Sequence, residues 1–378
     1  MSVRLGVLST YPSTQCGIAT FSAALVTHLL AAGADVGVVR LVDSPEIRVP
    51  PVVSQWVAGQ VRGSRSAAAA LDHYDVAVVQ HEYGIYGGPD GQDVLDLVAQ
   101  VHVPVVTVLH TVLTTPTPNQ HRVLAGLVDR SAALVTMTTT ARDRLTAGWG
   151  VDPARVTVIS HGAEDNRSPG VVTPGRPAAR PRTVLTWGLL SEGKGIEWAL
   201  LALAELRRHA PMPTYQVVGQ THPRVLEREG EAYRDRLVAL TRDLDLSASV
   251  RFDGRYLSGP ELRGVVRRAD VVLLPYDSRE QVTSGVLTEA VAAGKPVVST
   301  RFPHAVELLS SGAGLLVPQR DPSAIAAALV QVLTVDGVAE AMADEARRLA
   351  DSLLWPAVAE QYLDLAASVQ HVALPAAV

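Results

Sequence analysis

A single cysteine, Cys16, serves the whole chain, which excludes an intrachain disulfide and a cysteine-based metal cluster. Aromatic residues are scarce, 4% of 378 residues, although 47% of the chain is hydrophobic. That is more apolar material than one core normally holds, so two domains are expected. Neither charge sign dominates: the net charge is -5 and the pI near 6.1. No general electrostatic pull toward nucleic acid or anionic lipid follows. Apolar runs long enough to span a bilayer are lacking too, so membrane association is not indicated. Met1-Ser-Val-Arg-Leu-Gly-Val-Leu8 enters a strand pattern without a basic flank or a cleavage site, and a cytoplasmic protein is expected.

Short β-branched runs alternate with longer Ala/Leu-rich stretches, the pattern of parallel strands joined by crossover helices. Strands are predicted at Arg4 to Leu8, Val36 to Leu41, Val76 to Gln80, Val105 to Leu109, Ala133 to Thr136 and Val156 to Ile159. Asn166 to Arg182, with four prolines, two glycines and four arginines, fits neither period and reads as a linker. The alternation restarts at Thr183 to Trp187. It continues through Tyr215 to Val218, Val250 to Phe252, Val271 to Leu274, Pro296 to Ser299 and Gly314 to Val317. The expected organisation is an α/β domain over residues 1–165, a linker over 166–182, a second α/β domain over 183–354, and a terminal helix over 355–378.

Doubly wound sheets bind ligands at the carboxyl ends of their strands, so the strand-to-helix turns matter most. The first, Ser9 to Phe21, is a long polar loop in which Gly17 either lets helix-opening amides approach an anion or is an ordinary turn glycine. The second, Gln80-His-Glu-Tyr-Gly-Ile-Tyr-Gly-Gly88, lacks the second histidine of a zincin, because Ile85 stands in its place. A polar, aromatic, glycine-rich loop of this kind suits a sugar. His110 closes another strand, where a structural histidine and a functional one are both open readings. Ser160-His-Gly-Ala-Glu-Asp165 ends the last strand before the linker and is explained by turn chemistry.

Gly188-Leu-Leu-Ser-Glu-Gly-Lys-Gly195 nearly spells a phosphate-binding P-loop. Gly195 occupies the position where that motif places a hydroxyl for magnesium. Lys194 can still meet a diphosphate as a point charge. In QVTSGVLTEAVAAGKPVVST, Gln281 to Thr300, a helix starting near Thr283-Ser-Gly285 would point its first amides at the ligand. Glu289 would lie about a turn and a half deeper. A carboxylate there can accept two hydrogen bonds from a diol.

Together these residues resemble the retaining glycosyltransferases of family 4, whose GT-B fold pairs two facing Rossmann-like doubly wound domains. The matching pieces are Gly17, His110, Gly188 to Gly195, Leu287 to Val298 and the late turn Gly312 to Pro318. The resemblance implies that Lys194 binds the donor diphosphate and Glu289 the nucleotide ribose. It implies further donor contacts from Gly17, Gly188, Gln281, Thr283, Ser284, Gly285 and Val286. Thr14, Gln15, His81, Glu82, Tyr83 and Tyr86 would face the acceptor, with Lys194, His110 and Gln281 nearest the chemistry. From Trp355 onward the chain resembles the family's helix that crosses back to the first domain.

Two departures are visible. Leu189 stands where an arginine commonly assists the lysine, with Arg279 a candidate replacement, and Gln281 replaces the first of two glutamates separated by seven residues. The implied function is transfer of a hexose from a nucleotide diphosphate sugar to an acceptor hydroxyl on a carbohydrate or glycosylated small molecule, with retention. Neither a metal nor another cofactor is expected. A phosphorylase of the same fold and a catalytically silent sugar-nucleotide binder are the alternatives.

Overall fold

The computed structural model describes residues 3–167 and 181–370; most of the expected linker, 168–180, lies outside them. By packing, the chain divides into two units. One runs to Gly162 and takes in the segment from Trp355; the other is Ala163–Leu354.

The first unit carries seven strands: β1 (Arg4–Thr10), β2 (Asp35–Val42), β3 (Val52–Val57), β4 (Val76–His81), β5 (Val105–Leu109), β6 (Ala133–Thr136) and β7 (Val156–Val158). They form one sheet in the order β3-β2-β1-β4-β5-β6-β7, parallel at every pairing. Alternate residues of each strand serve opposite faces. Leu5, Val7, Val36, Val38, Val76 and Val78 pack under the helices Gly17–Ala31 and Trp355–Val369. Leu8, Val39, Leu41, Ala77 and Val79 pack on the other face, against Ala67, Leu71, Val94 and Leu127. Covering both faces is what a parallel sheet requires. The terminal helix therefore belongs to the first unit, where Trp355 is buried 5.2 Å from the Phe21 ring; residues 371–378 are not described.

Strand β3 has no counterpart among the expected strands. It follows Pro50-Pro51 at the sheet edge and carries Ser54 and Gln55 at its centre. An edge strand buries less of itself, so its apolar signal is weak.

The second unit holds β8 (Thr183–Trp187), β9 (Thr214–Val218), β10 (Val250–Asp253), β11 (Val271–Leu274), β12 (Val297–Thr300) and β13 (Gly314–Val317). All pair in parallel, in the order β10-β9-β8-β11-β12-β13. Each of its strands coincides with an expected run to within about two residues. Ala163 joins this unit rather than the first, donating its N–H to the Leu353 carbonyl at 2.8 Å.

In each sheet the strand order reverses beside the first strand, between β1 and β4 and between β8 and β11. Such a switch point leaves adjacent loops diverging to opposite faces and opens a crevice at the carboxyl ends of the strands. No single helix among the described residues is long and apolar enough to cross a membrane.

Candidate functional site

In the second unit the loops leaving β8 and β11 flank the switch point, and they carry the residues singled out from the sequence. After β8 the chain turns through Gly188 and Gly193 to Lys194 and then enters the helix Ile196–Leu206. Gly195 is fixed by two constraints: its φ is +64°, and a Cβ there would sit 2.0 Å from the Pro275 carbonyl oxygen. The hydroxyl residue of a P-loop cannot occupy this position without moving the β11 loop. Lys194 extends its ammonium over the Tyr276 ring, 4.3 Å from the centroid, a cation–π contact that holds the charge at the strand ends. Asp277 N–H donates to the Gly193 carbonyl at 3.1 Å, tying the two loops together.

The loop after β11 ends at Ser284, the N-cap of the helix Gly285–Ala292, whose Oγ accepts from Leu287 N–H. Ser284 N–H itself donates to His304 Nδ1 at 2.8 Å. It is therefore engaged inside the protein, contrary to its expected place among the anion-facing amides; those of Gly285 and Val286 remain at the open end of the helix. Thr283 Oγ1 is buried without a partner. Val286 lines Gly188, its Cγ2 3.5 Å from where a Cβ on that glycine would lie.

Glu289 is half-buried, and its Oε2 accepts from the Trp187 indole N–H at 3.2 Å. Burial pushes its carboxyl up to about 7, the indole bond opposes the rise, and the nearby charge of Glu164 adds to it. Gln281 donates from Nε2 to the Thr283 carbonyl at 2.5 Å, so one end of its amide is committed to the local turn. Arg279, the candidate for the missing phosphate contact, lies on this same loop and is exposed. Arg320, beyond β13, pairs with Asp277 at 3.1 Å. A cavity of about 530 Å³ adjoins the loop at Glu192, Gly193 and Asp277, but Lys194, Gln281 and Glu289 do not line it.

In the first unit the equivalent loops follow β1 and β4. Thr14 and Gln15 lie in the first of them, and Cys16 caps the helix Gly17–Ala31, its Sγ accepting from Ala19 N–H at 3.3 Å. Gly17 opens that helix with nothing within 4 Å of a would-be Cβ, so packing does not demand a glycine there.

Beyond β4, expected and observed exposure differ. His81 is the last residue of its strand and completely buried, with neither ring nitrogen hydrogen-bonded and the ring edge-on to Tyr83 at 4.9 Å. Burial holds its imidazole down at about 4. Tyr86 is also interior, donating its hydroxyl to the Gln80 carbonyl at 2.5 Å. Tyr83 is buried as well, its hydroxyl without a partner, so all three side chains serve the core rather than a loop surface. Glu82 is half-buried and accepts from Thr111 Oγ1 at 2.5 Å and from Tyr83 N–H at 3.0 Å.

His110 at the end of β5 donates from Nε2 to Gln80 Oε1 at 2.8 Å, since an amide oxygen only accepts. Nδ1 is then its acceptor. Burial, with smaller contributions from His161 and His81, holds it down at about 3, so it is neutral at ordinary pH. His161, edge-on to Phe21 at 5.0 Å, joins the same cluster. Nothing in the sequence marked Tyr276 or His304 for this site, whereas Trp187, a large aromatic ending a strand before a glycine turn, carried a visible signal.

The two units with their shared strand order have the architecture of a GT-B glycosyltransferase. HepE of Anabaena, solved with UDP and glucose, superposes with a TM-score of 0.75 at 18% identity, covering 97% of this chain and 100% of that one. Sucrose-phosphate synthase of Thermosynechococcus elongatus gives 0.76 at 19% identity, covering 97% and 99%. Likeness at this identity speaks for the fold alone. The family comes from the sequence: residues 16–167 match the model described as Glycosyltransferase Family 4, and residues 181–335 the one described as Glycosyl transferases group 1. The chain belongs to these family 4 glycosyltransferases. Among curated relatives, glycogen synthase of Mycobacterium tuberculosis is 32% identical over 241 residues, 63% of this chain and 55% of its own length. D-inositol 3-phosphate glycosyltransferase of Kineococcus radiotolerans is 32% identical over 258 residues, 63% and 58%. The match thus spans little more than half the length of these relatives.

Proposed function

We propose that the protein transfers a hexose from a nucleotide diphosphate sugar to an acceptor hydroxyl with retention of anomeric configuration. The observation that carries this reading is that the loops flanking the switch point of the second unit carry Lys194, held over Tyr276, and the opening of the helix Gly285–Ala292, with Val286 against Gly188 and Glu289 on Trp187. A cation and unpaired amides suit a diphosphate, and a carboxylate set deeper suits a ribose diol. UDP-glucose is the first donor to test, because HepE has been solved with it.

In this reading the leaving diphosphate takes the acceptor proton, and the chain chiefly positions both substrates and stabilises developing phosphate charge. Lys194 and the amides of Gly285 and Val286 supply that stabilisation, Gln281 reaches the donor sugar, and Thr283 Oγ1 offers a further hydrogen bond. The first-unit loop at Thr14 to Gly17 and Glu82 take the acceptor, with neutral His110 offering Nδ1 to a hydroxyl. Glucan and inositol phosphate acceptors are the starting panel, after the relatives' names. We propose that no divalent cation is needed, since the donor-side groups already neutralise the diphosphate.

A thermal-shift screen of UDP-, ADP- and GDP-sugars, followed by mass spectrometry and NMR of products with and without chelator, tests the whole reading. Transfer with retention in chelator is expected. Inversion would remove the mechanism, and activity restored only by magnesium or manganese would remove the metal-free reading. Phosphate-dependent product would identify a phosphorylase, and binding without turnover a silent binder.

A further inference from the structure

Trp187 ends β8 beside the strand-order reversal, its ring packed in one core with Val218, Leu274 and Tyr276 and almost wholly shielded from solvent. A buried indole must place its single N–H on an acceptor. Here that acceptor is Glu289 Oε2, 3.2 Å away and 102 residues distant in sequence. A strand-end ring held on all sides by core is a rigid fixture, whereas a glutamate has three rotatable bonds. We propose that Trp187 is a positioning residue for nucleotide binding, its indole N–H fixing the Glu289 carboxylate as acceptor for the ribose diol; the proposal rests on the reading of Glu289 as the ribose ligand. An ionised carboxylate offers about four acceptor positions. The indole takes one and leaves enough for two hydroxyls.

The bond also bears on the charge of Glu289. Burial and Glu164 favour the protonated acid, the indole favours the carboxylate, and the balance falls at about 7. Among the other charged or titratable groups on neighbouring elements, Lys194 lies over the Tyr276 ring, whose hydroxyl is buried without a partner. His304 accepts from Ser284 N–H. Glu345 pairs with Arg348, and Arg347 with Asp344, on the helix Val338–Leu353. Lys295 donates to the Arg267 and Ala269 carbonyls. Among the described residues, Glu164, exposed on the segment entering the unit, is the one whose charge reaches Glu289.

Calorimetric titration of UDP from mildly acidic to alkaline pH, on the wild-type chain, Trp187→Phe, Glu164→Gln and Glu289→Gln, tests this. The nucleotide's own titration is common to all four. Wild-type affinity is expected to fall as pH drops through about 7. Trp187→Phe should move that fall upward by about one unit, giving roughly fivefold weaker binding at about pH 7 and near-equal binding well above it. Glu164→Gln should move it the other way, by less, because that residue is exposed. A Trp187→Phe loss that is the same at every pH, or no loss, overturns the proposal in favour of a packing role. If Trp187→Phe does not fold, Trp187→Tyr, which also lacks the indole N–H, is read in its place with the same outcomes. Unchanged UDP binding in Glu289→Gln would remove the ribose assignment itself, an outcome distinct from the failure of Trp187.

Discussion

The ammonium of Lys194 lies 4.3 Å from the centroid of the Tyr276 ring, and that ring in turn stacks on Phe302 at 5.1 Å. A loop lysine is thereby held against a buried aromatic pair at the strand ends of the second unit. Lys194→Ala removes a charge-assisted contact that strengthens as the diphosphate leaves, and turnover should fall by about a hundredfold with folding intact. Steady-state transfer rates together with a melting curve check this. Wild-type turnover in a folded variant would dissociate Lys194 from the phosphates.

Glu289 and Gln281 should read different parts of one ligand. Glu289→Gln replaces an acceptor with a donor at the ribose, so UDP and the intact sugar nucleotide should weaken alike, by about tenfold. Gln281→Ala should weaken the intact donor or its transfer and leave UDP nearly untouched. Equal losses for both ligands in calorimetry of Gln281→Ala would confine that side chain to its turn with Thr283.

Gly195 and Gly17 make a contrasting pair. A Cβ at Gly195 meets the Pro275 carbonyl at 2.0 Å in a left-handed backbone, whereas one at Gly17 meets nothing within 4 Å. Gly195→Ala should cost on the order of 1–3 kcal/mol of stability and displace Lys194. Gly17→Ala should leave the melting temperature unchanged and lower transfer only, if a substrate approaches the helix-opening amides there. A destabilised Gly17→Ala, or wild-type transfer in a stable one, would show that this glycine is not kept for a ligand.

Acid should weaken the first unit through its buried histidines. His81 and His161 are held down to about 4 by burial, so the folded unit prefers them neutral while the unfolded chain protonates near 6.5. Their contribution is therefore complete above about 6.5 and is lost as pH falls toward 4. For His81, fully buried, the loss at pH 5 is on the order of 2 kcal/mol. Melting curves between neutral and mildly acidic pH should show a shallower decline for His81→Leu than for wild type; parallel declines would reject the assignment.

What the sequence determined was local and periodic. Runs such as Val271 to Leu274 and Val105 to Leu109 announce strands buried on both faces. Glycines before Lys194 and ahead of Glu289 announce loops that can approach a ligand. From these come two doubly wound sheets and the residues at their strand ends. Strand β3 stayed hidden because an edge strand carrying Ser54 and Gln55 lacks that periodic signal. Only the tertiary structure decided which strand ends become neighbours: the order β9-β8-β11-β12 brings Trp187 to Glu289, Lys194 to Tyr276 and His304 to Ser284. It also decided that His81 and Tyr86 turn inward, since burial at a strand end depends on the helices and loops that close over it. Periodicity reports which face a residue belongs to, but a hydrogen bond spanning about a hundred residues depends on the packing of separate elements, which no local pattern encodes.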